Sequence, residues 1–124
     1  MHTLLLVLVL TVWSFQSAAK NARSLEVKFH ANGHLQSFQS DAIPFGYYFN
    51  RQAKHHVSIA TLDWPPYIGD GICDKGWVFK FTVALLVSRG YQVNIHFYPW
   101  ARSVKLVEQG EMDILFPEYY IEKK

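Results

Sequence analysis

The sequence predicts a small α/β fold, and three observations carry that prediction. Between residues 57 and 122 three short apolar runs alternate with two runs of helical period, which reads as a β-α-β-α-β unit. Each apolar run is followed by a turn rich in aromatic, acidic or basic residues. Half of the 124 residues are hydrophobic (50%) and 18% are charged, a composition that packs a core rather than staying disordered. The length suits a single core.

Within that unit, Val57-Ser58-Ile59-Ala60-Thr61-Leu62 is β-branched and short, as a strand buried on both faces should be. Residues 63–76 hold two prolines and several glycines and read as a loop. A helix is expected from Trp77 to Arg89, with Val78, Phe79, Thr82, Val83, Leu85 and Leu86 on its apolar stripe and Gly90 at its C′ position. Val93, Ile95 and Phe97 alternate with Asn94, His96 and Tyr98 as a second strand. Pro99 or Trp100 opens a second helix, in which Trp100, Val104 and Val107 share a face, and Gly110 closes it. Met112 to Phe116 is the third strand. Strands joined by helices of this length run parallel with right-handed crossovers, and being parallel the three strands should end on one side of the sheet. There they bring together Asp63, Trp64 and Tyr67, then Tyr98, Trp100 and Arg102, then Glu118, Tyr119 and Tyr120. Open sheets of this type bind ligands at that carboxyl edge.

The N-terminal part reads differently. Leu4 to Phe15 is apolar but shorter than the roughly 20 residues that span a bilayer as a helix. With small residues at Ser17 and Ala19 it reads as a signal peptide over residues 1–19, cleaved after Ala19; the absence of Lys or Arg before it leaves an uncleaved anchor as the alternative. Residues 20–56 form an unassigned segment. Leu25, Val27 and Phe29 alternate with polar residues, Asn32-Gly33 interrupts and Leu35 to Phe38 follows, which suggests a hairpin. Residues 40–56 are aromatic and show neither period.

Composition also narrows the function. The formal charge of +2 is small, and Lys20, Lys28, Arg51, Lys80, Arg89 and Arg102 are scattered, so no nucleic-acid partner is expected. Cys73 stands alone, so no intramolecular disulfide can form, and it reads as an ordinary loop thiol. His30 and His34 are separated by a turn signal and His55-His56 would point to opposite sides of an extended chain, so no metal is expected. The Gly-x-Ser-x-Gly, phosphate-loop and His-Glu-x-x-His motifs are missing, and neither an enzyme nor a cofactor is expected.

Four stretches taken together resemble the family 3 extracellular solute-binding proteins, the periplasmic receptors of polar amino-acid ABC importers. They are Ile59-Ala60-Thr61-Leu62-Asp63-Trp64-Pro65-Pro66-Tyr67, Gly76-Trp77-Val78-Phe79, Tyr98-Pro99-Trp100-Ala101-Arg102 and Gly110-Glu111-Met112-Asp113-Ile114-Leu115. The resemblance runs from about His56 to the C-terminus and implies a partial lobe of the type II periplasmic-binding-protein fold over residues 57–124. It also implies a monomer in the periplasm that takes a small polar, amino-acid-like solute and docks on the importer's membrane subunits. In that family two lobes close on the ligand; here an N-terminal part of the first lobe is expected, truncated before the second, with an unpaired sheet edge. Where the family carries small and hydroxyl residues ahead of an Arg that grips a carboxylate, this chain has Pro117-Glu118-Tyr119-Tyr120. Lyases similar to cyclohexadienyl dehydratases share the scaffold and stand as the alternative, as does a fragment without function.

The ligand-binding candidates are Asp63, Trp64, Tyr67, Trp100, Arg102, Glu118 and Tyr120. Trp64 and Tyr67 lie where the family packs an aromatic on its ligand, and such a face suits a zwitterion or cation; they could equally anchor the loop. Asp63 could accept from a ligand ammonium or cap its own turn. Arg102, in the first turn of its helix, could attract an anionic group, or be solvated or paired with Glu118. Glu118 and Tyr120 are candidates by position at the strand ends.

Overall fold

The structure, a computed structural model, describes residues 24–118. The expected signal peptide and Tyr119 and Tyr120 lie outside those residues.

The chain begins with a hairpin. Strands β1 (Glu26–Ala31) and β2 (His34–Ile43) are antiparallel, with Ala31 opposite His34. The loop between them, Asn32-Gly33, has φ of 51° and 76°, the left-handed pair that a two-residue hairpin needs. The residues read as irregular from 40 to 56 are in part strand. β2 continues to Ile43, Pro44-Phe45 turns the chain, and β3 (Gly46–Phe49) returns antiparallel to β2. No alternation marks β3 because Tyr47, Tyr48 and Phe49 put aromatic rings on both of its faces.

The remaining strands and α-helices are β4 (His55–Thr61), α1 (Trp77–Ser88), β5 (Tyr91–Phe97), α2 (Trp100–Glu108) and β6 (Ile114–Leu115), with one 3-10 turn at Cys73–Lys75. β4 pairs in parallel with β5 on one side and with β6 on the other. Gly90 and Gly110 follow the two helices at the expected positions, and Pro99 caps the start of α2. No helix among the described residues is long and apolar enough to cross a membrane.

The six strands form one mixed sheet in the order β1-β2-β3-β5-β4-β6. The class is α/β, but three of the five pairings are antiparallel, so the sheet is not the all-parallel unit alone. The segment before residue 57 is continuous with it. β3 lies against β5 with Tyr47 opposite Ile95 and Phe49 opposite Val93. Gly46 permits the approach, since a Cβ there would stand 2.0 Å from the Ile95 carbonyl oxygen. The outer edge of β5 is therefore covered, and among the described strands the free edges are those of β1 and β6.

The third strand is shorter than the expected 112–116. At its start the Asp113 N–H still donates to the Ser58 carbonyl at 2.9 Å, and the Asp113 carboxylate accepts from both the N–H and the hydroxyl of Ser58, each at 2.8 Å. Those bonds hold its carboxyl below the ordinary range, the backbone bond first. At the other end Pro117 has no N–H to continue the pairing.

β6 lies on the far side of β4 from β5, so right-handed crossovers set α1 and α2 on opposite faces of the sheet. The core lies under α1 and consists of Val27, Phe49, Val57, Ile59, Ile68, Phe79, Val83, Val93 and Ile95. Phe79 is its centre, stacked on Phe97 at 5.9 Å and meeting Tyr47 and Phe49 edge-on at 5.8 and 6.0 Å. The stripe of α1 is shifted relative to the expectation: Phe79, Val83 and Ala84 are buried and Val78, Leu86 and Val87 pack partly buried against the core, whereas Leu85 is exposed beside Phe81 and Trp77.

Phe79→Ala should cost about 3–5 kcal/mol, the usual range for emptying an aromatic site in a core. Urea denaturation checks this, and a loss below about 1 kcal/mol would show that the ring cluster does not hold β3 to α1.

Candidate functional site

Thr61 ends β4 fully buried and joins three other elements. Its carbonyl oxygen accepts from the Tyr98 N–H just after β5 and from the Ser103 hydroxyl of α2, each at 2.9 Å. Its own hydroxyl donates to the Phe116 carbonyl oxygen at 2.7 Å, just after β6. The ends of three parallel strands and the first turns of α2 are thus tied at one residue.

Beyond those strand ends opens a cavity of about 450 Å³ lined by Leu62, Asp63, Trp64, Trp100 and Glu118. It lies where the chain leaves β4 for one face of the sheet and β5 for the other, the place at which open α/β sheets hold ligands. Four of the seven residues expected at the site from the sequence are brought together here. Among the described residues the wall consists of two acidic groups, two indoles and a leucine, with no basic group. Such a lining suits a small solute that carries an ammonium or amine on an apolar stem.

Asp63 caps its loop and lines the cavity at once. Its Oδ1 accepts from the Asp70 N–H at 2.7 Å. Asp70 in turn accepts from the Tyr47 hydroxyl at 2.7 Å and pairs with the Lys75 ammonium at 3.2 Å. Burial, together with the bond to Asp70, holds the Tyr47 phenol above its ordinary pKa. Burial works against the charge on Lys75, but Tyr47 and Asp70 hold its pKa above the ordinary value. Through this chain β3 positions the first wall of the cavity. Trp64 is held by backbone bonds across Pro65-Pro66: its N–H donates to the Ile68 carbonyl at 2.7 Å, and its carbonyl accepts from Tyr67 and Ile68.

The other candidates fall elsewhere. Tyr67 stands edge-on to Trp64 at 5.7 Å and is 44% exposed, outside the cavity lining. Arg102 places its guanidinium over the Tyr98 ring at 4.5 Å instead of in the crevice, because a planar cation gains more from an aromatic face than from open solvent. Tyr98 is stacked in turn on His96 at 5.8 Å with the planes 3° apart, and Phe45 packs at its side. Burial lowers the His96 pKa, and a hydrogen bond to the Pro44 carbonyl partly opposes it. Tyr120 lies outside the described residues. Among those residues no three His, Cys, Asp or Glu side chains are grouped to hold a metal ion.

Thr61, Ser103, Tyr47, Asp70 and Lys75 were not singled out from the sequence. One signal was available: Thr61 is a hydroxyl residue within a strand read as buried on both faces, and Ser103 falls at helical spacing on the face of Trp100, Val104 and Val107, where a buried hydroxyl needs a partner. Compared with known proteins, the chain matches no family model, no curated protein and no solved structure.

Thr61→Val keeps the shape but strands the Phe116 carbonyl, and should cost about 1–3 kcal/mol, while Thr61→Ser should recover most of the loss. Equal losses for the two variants in urea titration would count against a hydrogen-bonded hub. A pH dependence follows from His96. The unfolded chain takes up the proton at the ordinary 6.5 and the folded chain only at lower pH, so the stability it contributes is full above 6.5 and is lost as pH falls from there through the folded value. Melting temperatures between about pH 8 and pH 5 should show the decline, limited to what the proton linkage of a single group allows, and His96→Gln should flatten it.

Proposed function

We propose that the chain is a solute-binding protein of the extracellular, polar amino-acid transport type, whose crevice takes a small solute bearing an ammonium group. The observation that carries the reading is the convergence of Asp63, Glu118, Trp64 and Trp100 on one cavity of about 450 Å³ at the carboxyl edge of the parallel strands. The four sequence stretches that resemble the family lie on the elements that build this edge, which adds support. Arg102 is engaged with Tyr98, so the acidic wall favours amine capture over capture of a carboxylate. In this reading the protein acts in the periplasm without turnover. It delivers its solute to the membrane subunits of an importer, and residues 57–118 form a wall of a type II lobe.

Diamines and basic amino acids should raise the melting temperature by mass action, and dicarboxylic acids should not. Asp63→Asn keeps an oxygen for the Asp70 N–H and removes the charge; it and Glu118→Gln should each weaken binding about tenfold to a hundredfold, the usual worth of a charge-assisted hydrogen bond. Calorimetry that finds no amine binding, or equal binding by the double variant, would sink the proposal.

A further inference from the structure

β1 is a terminal strand of the sheet, and no described strand pairs with its outer edge. In the two-residue hairpin the backbone groups of Leu25, Val27, Phe29 and Ala31 turn toward β2. The Ser40 N–H bond to the Leu25 carbonyl, 2.9 Å, has the same phase. The backbone N–H and C=O groups of Glu26, Lys28 and His30 therefore face outward. A six-residue edge without proline is a template for another strand.

The side chains on this edge select the partner. A two-fold axis with antiparallel strands can be centred on Val27, Lys28 or Phe29. Centring on Lys28 sets it against its own copy, and centring on Phe29 sets Lys28 against His30. Centring on Val27 sets Glu26 against Lys28 of the second copy, twice by symmetry, with Ser24 against His30. On the opposite face the same register places Val27 against Val27 and Leu25 against Phe29. Residues of opposite charge thus meet on one face and apolar residues on the other, and the outward backbone groups are in phase to bond.

A second feature lies beside this edge. Phe29 packs edge-on against Phe81 of α1 at 6.1 Å, and Phe81 and Leu85 are 48% and 43% exposed. Leu25 of the second copy, arriving opposite Phe29, comes onto this exposed apolar patch.

We propose that two copies of this chain associate through β1, antiparallel about Val27, into a continuous twelve-stranded sheet made of two six-stranded halves. This replaces the monomer that the sequence resemblance implies. β2, β3 and β5 separate β1 from β4, so the cavity at the ends of β4, β5 and β6 stays open, and the association stands independently of the solute-binding reading.

Sedimentation equilibrium on the full chain over a range of concentrations tests it. The unaltered protein should dimerise. Lys28→Glu alone and Glu26→Lys alone each set like charges opposite one another twice, and each should weaken the dimer by roughly tenfold or more. An equimolar mixture of those two variants should restore it as a heterodimer, because their altered strands carry opposite charges at facing positions; that recovery also shows that both variants are folded. A protein that stays monomeric, a dimer that Lys28→Glu leaves as tight as before, or a mixture that fails to associate while circular dichroism shows both variants folded would each overturn the proposal.

Discussion

The crevice depends on Thr61. Its carbonyl and hydroxyl together engage Tyr98, Ser103 and Phe116, and its side chain is fully buried. A buried polar group left unpaired costs about 1–3 kcal/mol, so each of these bonds resists displacement of the element it holds. The ends of β4, β5 and β6 are consequently in fixed register with the start of α2. Asp63, Trp100 and Glu118 follow those ends within a few residues and inherit their positions.

The second constraint is the two-sided pairing of β5. It is parallel to β4 over seven residue pairs and antiparallel to β3 over four. This joins the N-terminal meander to the βαβαβ unit and places Tyr47 where its hydroxyl reaches Asp70. A segment with no functional reading of its own thereby braces the loop that presents Asp63. Phe79 completes the joint from above, its ring meeting side chains of β3 and β5 at once.

Much of the βαβαβ unit was legible because local chemistry and burial agree there. The period of α1, the glycines after both helices and the alternation in β5 each report a single environment for each face. β3 was hidden because aromatic residues satisfy either face of a strand, so no alternation survives to mark it. The third strand was overestimated because its regular register with β4 covers only Ile114 and Leu115, and Pro117, without an N–H, cannot extend it. The bonds of the Asp113 carboxylate to Ser58, 55 residues distant in the chain, left no mark in the sequence pattern. Leu85 was placed on the apolar stripe of α1 but lies outside it, because the sheet beneath covers only part of the helix surface.

The sequence by itself determined which residues follow the parallel strands, and so which side chains were available to a crevice at the carboxyl edge. That follows from helical crossovers joining parallel strands, which run in one direction and so send their ends to one edge. Only the tertiary structure decided which of them share the cavity. Arg102 was lost to the face of Tyr98 and Tyr67 to a position outside the lining, while Asp63 was held through Asp70 by a tyrosine from β3. Such choices depend on which partner each polar or aromatic group meets across the fold, and long-range contacts of that kind have no periodic signature in the chain.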